Sequence, residues 1–263
     1  MPGVPRHAVE YLLEALGLGL FMIAAVAAAT LLEHPASPLR ARLDDAVLRR
    51  ALMGLAMGGT SIVLVYSSIG ARSGGHFNPA TTLMFYRLGR VAGVDLAGYA
   101  AAQVLGGLAG LAVARLLFAP WIADPAIRYV ATSPGPWGEA TAFAAETAMT
   151  FVLMSVVLRV SNDARWSRFT GLAAGALVAL YITVEAPVSG MSLNPARSLA
   201  PSLATGEIHR FWIYLAAPPL GMLAAAELYV RRHGLAQVFC AKLHHHTAAR
   251  CIFHCRVDAL RGH

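Results

Sequence analysis

Charge is what this chain has least of. Asp, Glu, Lys and Arg make up only 13% of its 263 residues, and 14 of these are acidic. Soluble domains carry about 25% charged residues, so a water-facing surface cannot be furnished from this composition, and a soluble globule is excluded. Lysine is nearly missing, since the 21 basic residues are all arginine except Lys242. Cysteine is confined to the end of the chain, at Cys240, Cys251 and Cys255, which leaves no disulfide framework for a secreted domain. What is present is apolar: 57% hydrophobic residues and a mean hydropathy of +0.57. An all-α integral membrane protein is the fold class that remains. A formal net charge of +7 would suggest a nucleic-acid partner in a soluble chain. Here the arginines stand between apolar runs, where they orient spans, and no nucleic-acid role is read.

Six stretches reach the roughly 20 apolar residues needed to cross a bilayer core about 30 Å thick: about 8–32, 51–69, 94–118, 139–158, 169–186 and 211–230. The first exceeds the apolar core of a signal peptide, about 7–15 residues, and reads as a span. Two further segments, Pro79 to about Leu88 and Pro195 to about Ala204, are too short. Ten helical residues rise only about 15 Å. Each opens on the same triplet, Asn78-Pro79-Ala80 and Asn194-Pro195-Ala196. Asn is a strong N-cap and Pro suits the first helical position, so each segment is a half-helix with a defined start.

The surroundings repeat too. Ser73-Gly74 precedes Asn78 at the spacing by which Ser189-Gly190 precedes Asn194, and each half has one glutamate in its first span, Glu14 and Glu146. A three-span unit with one broken segment therefore occurs twice. With an odd number of spans the second copy enters the membrane inverted, the pattern of inverted-repeat transport proteins with a site near the midplane. The expected division is an N-terminal tail (1–7), a first repeat (8–118), a connecting loop (119–138), a second repeat (139–232) and a His/Cys-rich basic tail (233–263). With both termini in the cytoplasm, thirteen basic residues fall inside, Arg6 and Arg261 among them, and seven outside. The positive-inside rule favours that orientation, in the plasma membrane.

Half-helices entering from opposite sides bring two N-termini together at mid-bilayer, each with an effective charge of about +0.5. Facing positive ends repel cations and hydronium, while the Asn78 and Asn194 amides offer N–H donors to a passing oxygen. A neutral, oxygen-bearing solute fits; ions do not. No nucleophile–base pair or intramembrane metal cluster is visible, so no enzyme is read and no cofactor is required. An ion-coupled secondary transporter is the alternative from another class, but it would need charged residues along the path.

These residues resemble the major intrinsic protein family, the aquaporins and aquaglyceroporins. The stretch Pro187 to Pro201 is similar to nodulin-type members and their bacterial relatives. The resemblance implies a pore in each subunit, a homotetramer, and water or small uncharged solutes as cargo. It also implies an outer constriction at Gly58, Ile182, Met191 and Arg197, placed by offset from the two asparagines. Water-selective members pair a bulky aromatic with a His at the first two of these positions, and glycerol channels keep the aromatic. Here Gly58 removes a wall and Ile182 offers no hydrogen bond. A wider, apolar filter would pass glycerol-like polyols or metalloid hydroxides such as arsenous acid. A strictly water-selective channel stands beside it, because the flexible Met191 can swing in and narrow the opening. The resemblance further implies that Glu14 and Glu146 are structural buried acids accepting backbone N–H groups. His76, beside the cytoplasmic mouth, is a gating candidate through its titration near neutrality.

The tail offers Cys240, Cys251 and Cys255 with one His, for which His254 in Cys251-Ile-Phe-His254-Cys255 is the candidate, as a zinc site. A solvated basic tail and thiol contact with arsenite are the other readings.

Overall fold

The computed structural model describes residues 7–258. The ends of both tails, with Arg6 and Arg261, lie outside the described residues. Ten α-helices form among the described residues: α1 (Ala8–Glu33), α2 (Pro38–Arg42), α3 (Ala46–Tyr66), α4 (Ser68–Ser73), α5 (Pro79–Arg87), α6 (Gly93–Phe118), α7 (Gly138–Ser161), α8 (Thr170–Ser189), α9 (Pro195–Thr205) and α10 (Phe211–His233). Six of them, α1, α3, α6, α7, α8 and α10, are long and apolar enough to cross a membrane.

The second span departs from the sequence reading at both ends, because two caps outweigh hydropathy. Asp45 Oδ1 accepts from the Val47 and Leu48 amides at 2.7 and 3.2 Å, so α3 starts at Ala46 and includes both arginines of that loop end. Arg49 is buried there, donating to Glu33 and to the Leu43 and Asp44 carbonyls. At the other end Ser67 closes α3, its amide donating to the Val63 carbonyl at 2.8 Å. The Ser67 side chain then caps α4, so Ile69 belongs to a separate short helix.

The bundle is built on three close pairs, α1 with α6, α3 with α8 and α7 with α10. Glycines set the approach. A Cβ at Gly106 would overlap the Ala15 backbone, and one at Gly110 the Gly19 backbone; small residues let the backbones meet where lipid supplies no hydrophobic drive between helices. Leu12, Leu55, Leu105, Leu116 and Val184 point outward and are exposed on the single chain, as lipid-facing side chains require.

Within this frame the inverted repeat is visible atom by atom. Glu14, fully buried, accepts from Ser73 Oγ (2.6 Å) and the His76 amide (3.1 Å) through Oε1, and from the Phe77 amide (2.6 Å) and Gln103 Nε2 (2.7 Å) through Oε2. Glu146, equally buried, accepts from Ser189 Oγ (2.8 Å), the Ser192 amide (2.6 Å) and the Leu193 amide (2.7 Å). Two tyrosines complete the correspondence: Tyr99 OH donates to the Ser73 carbonyl and Tyr214 OH to the Ser189 carbonyl. Each carboxylate thus holds the irregular segment that leads into a half-helix.

Removing either acid leaves buried amides without an acceptor. Hydrogen bonds to charged groups contribute about 1.5–3 kcal/mol each, so Glu146→Ala should lower the melting midpoint of the detergent-solubilised protein well below that of wild type, and Glu14→Ala likewise. Tryptophan fluorescence on heating reads this out. Melting curves that overlay wild type would remove the bracing role.

Candidate functional site

The two half-helices start against each other. Asn78 and Asn194 both adopt extended backbone and cap α5 and α9 through Oδ1, which accepts from the Ala80 amide (2.9 Å) in one case and from the Ala196 and Arg197 amides (3.0 and 3.2 Å) in the other. Their amide groups cross over. Asn78 Nδ2 donates to the Leu193 carbonyl and Asn194 Nδ2 to the Phe77 carbonyl, both at 2.8 Å. Aiming those carbonyls across the interface puts Phe77 at φ 47° and Leu193 at φ 57°, left-handed values uncommon for residues with a side chain. The amides read from sequence as path-lining donors therefore commit one N–H each to the opposite repeat, leaving the other N–H of each for a solute.

Both asparagines border one cavity of about 320 Å³. At one end it meets Ile127, Val130 and Ala131 of the long connecting segment, which is tied down by the Gly135 amide on the Val188 carbonyl (2.8 Å) and by Thr132 on Ser198 (2.8 Å). At the other end it meets Val65, His76 and Leu243. Ile182, Met191 and Arg197 also share the wall. Arg197 forms no ion pair with a carboxylate among the described residues, and its Nη1 is buried without a hydrogen-bond partner, so one guanidinium N–H group remains for a ligand.

Gly58 requires a correction. It is not among the residues bordering the cavity. A Cβ at this position would run into the Gly175 carbonyl and the Ala179 methyl of α8. It is a helix-contact glycine, and counting back from Asn78 misses the lumen by one residue. From α3 the wall takes Met53, Met57, Ser61, Leu64 and Val65, with Met57 only 2% exposed. Beside Gly58, the residue that borders the cavity is Met57, a thioether.

Glu185 does not border the cavity. Its carboxylate accepts from Ser189 Oγ at 3.0 Å, the hydroxyl that also faces Glu146. His76 is buried, with Nε2 2.8 Å from the Ala241 carbonyl and Nδ1 3.0 Å from Thr82 Oγ1, and its ring stacks between Phe85 and Phe253. It links the half-helix approach to the C-terminal tail.

The tail is not a solvated basic extension. Val238, Cys240, Ala241, Lys242 and Leu243 are all buried, and Lys242 Nζ donates to the Ala249 carbonyl at 2.9 Å. The three thiols come together, with 3.5 Å between the sulfurs of Cys240 and Cys251. His254 does not join them. Its Nδ1 lies 3.0 Å from the Gly89 carbonyl and its amide donates to the Arg90 carbonyl, while His245 takes the place beside Cys240 and Cys255. Backbone pairing at the α5–α6 turn, invisible in a Cys/His spacing, turns His254 away.

Three features carried no signal that sequence reasoning used: the Tyr99 and Tyr214 anchors, the Met53 and Met57 wall, and the Leu243 end of the cavity. The tyrosines could have been found, since they recur at nearly the spacing of the two Asn-Pro-Ala triplets.

Residues 5–229 match the family described as Major intrinsic protein. Nodulin-26 of Glycine max is 40% identical over 168 residues, covering 64% of this chain and 60% of that protein. Aquaporin NIP1-1 of Arabidopsis thaliana is 37% identical over 190 residues, covering 71% of this chain and 64% of that one. The chain thus spans about three fifths of the length of these curated relatives. Among solved structures, the aquaglyceroporin from Plasmodium falciparum aligns with a TM-score of 0.67 at 24% identity over 85% of this chain and 95% of its own, a likeness of fold. With the paired half-helices and the match across nearly all the spans, the chain belongs to the major intrinsic protein family.

Proposed function

We propose that the chain is a passive transmembrane channel for water and small uncharged solutes, glycerol-like polyols or metalloid hydroxides such as arsenous acid, and that it excludes ions and protons. The observation that carries this reading is the cavity wall itself. It joins the starts of two head-to-head half-helices, two asparagine amides and one arginine, and no Asp, Glu or Lys borders it among the described residues. Donors and positive potential favour a neutral solute that brings its own oxygens. An ion-coupled transporter would need carboxylates on the path, whereas Glu14 and Glu146 are occupied by backbone amides.

A strictly water-selective channel has its own supporting observation: two methionines, Met57 and Met191, border the cavity with Ile182 and Arg197. The proposed setting is the plasma membrane, with both termini cytoplasmic. The proposed assembly is a homotetramer, in which α8, the span least buried within the single chain, gains a neighbour.

Stopped-flow swelling of proteoliposomes tests solute and filter together. Wild type should pass water, and Met57→Ala with Met191→Ala should raise glycerol and arsenous acid permeability severalfold. Gly58→Trp should instead reduce the yield of folded protein by forcing α3 from α8. Unchanged solute permeability in the double variant would exclude the methionines as the constriction. Arg197→Val should increase proton leak, by about tenfold for each ~1.4 kcal/mol of barrier the guanidinium supplies, as followed by an entrapped pH dye. Leak equal to wild type would place the proton barrier elsewhere.

A further inference from the structure

After α10 the described residues form no long helix or strand, yet they are folded onto the inner end of the bundle. The Phe239 amide donates to Asn162 Oδ1 (2.8 Å), the Leu243 amide to the Gly74 carbonyl (3.0 Å), the His254 amide to the Arg90 carbonyl (3.0 Å) and the Arg256 amide to the Phe239 carbonyl (2.7 Å). The Phe253 ring lies parallel to His76 at 5.3 Å, against Gly74. This strap crosses from the α7–α8 turn to the α5–α6 turn, and Leu243 borders the cavity on the way. An irregular segment of this length loses much conformational entropy when fixed, and backbone hydrogen bonds with the burial of Val238, Leu243 and Phe253 offset only part of it. A cross-link would.

The groups for one are in place. Cys240, Cys251 and Cys255 are free thiols, the sulfurs of Cys240 and Cys251 are 3.5 Å apart, and Cys255 interacts with both. The sulfurs of Cys240 and Cys255 and a ring nitrogen of His245 lie within 4.8 Å of one another. Tetrahedral zinc with Zn–S near 2.3 Å sets its sulfurs about 3.8 Å apart, close to the spacing found.

We propose that Cys240, Cys251, Cys255 and His245 bind one zinc ion, and that this knot fixes the strap so that Leu243 closes the inner mouth of the cavity. Cys240, His245 and Cys255 already lie together, and Cys251, against Cys240, turns in as the fourth ligand to leave no open position. Arsenite would take three thiols and leave His245 unused. Release of the metal frees residues 238–256 and opens the mouth. The gating half rests on the channel reading above; the metal site stands independently.

The test uses the full chain, purified with a non-histidine affinity tag, and elemental analysis. About one zinc per chain is expected, retained in His254→Ala, and lost in His245→Ala and in Cys251→Ser with Cys255→Ser. Cobalt substitution should give tetrahedral thiolate absorption that disappears in the same variants. A closed form that dominates leaves the open one at no more than about 10%, so stripping zinc with a chelator should raise water flux in proteoliposomes by roughly tenfold or more. The double Cys variant and Leu243→Gly should be fast without chelator. Sub-stoichiometric zinc in wild type, zinc kept by the double Cys variant or by His245→Ala, or a Cys240–Cys251 disulfide would each overturn the site. Full zinc with flux indifferent to chelator and to Leu243→Gly would overturn the gate. If no form exceeds empty vesicles, the channel reading fails while the metal content still decides the site.

Discussion

A buried carboxylate accepting two nearby peptide N–H groups is the interaction on which the rest of this molecule depends. Hydrocarbon offers no partner to irregular backbone, so non-helical segments persist at membrane depth only where protein satisfies them. Residues 74–78 and 190–194 are such segments, and Glu14 and Glu146 are their acceptors. With those amides held, the chain can reverse and start a helix in mid-bilayer. A full span would have been the cheaper way to place the same residues, but it presents no free N-terminus to the interior. The broken form does, twice.

The cross-tie between the repeats turns two separate reversals into one site. Because each asparagine donates to the carbonyl before the other, the half-helix starts are fixed relative to each other and not only to their own repeats. The left-handed backbone at Phe77 and Leu193 is maintained for that purpose. The price falls on residue types that disfavour the conformation, and it is met by the bonds their carbonyls receive. A rigid pair of amides, a positive field from two helix ends and a partly unpaired arginine then act on the same small volume.

Much of this was legible in the sequence because membrane proteins state their constraints in composition and in caps. Spans follow from apolar length, half-helices from length and Asn-Pro, and inversion from an odd number of spans. What was not legible depended on facing. Gly58 and Met57 are adjacent in the chain, yet a helix turns about 100° per residue, so one meets α8 and the other meets the cavity. An offset counted along the chain across Ser67, where α3 stops and α4 begins, cannot resolve that difference. His245 and His254 pose the same problem in irregular chain, where position depends on which carbonyl captures which group. The tail as a whole was misjudged because its basic, polar composition looks solvated, while burial of Lys242 relies on carbonyls of its own loop.

The cross-tie also has a temporal side. The Phe77 carbonyl receives its donor from a residue 117 positions later. At ribosomal rates of about 5–20 residues per second, roughly 6–23 seconds therefore pass between synthesis of Phe77 and synthesis of its donor. During the delay a glutamate-braced but half-finished repeat must survive with an unsatisfied carbonyl facing lipid, translocon or water. The bond that closes the first repeat's reversal is therefore made only when the second half of the chain arrives.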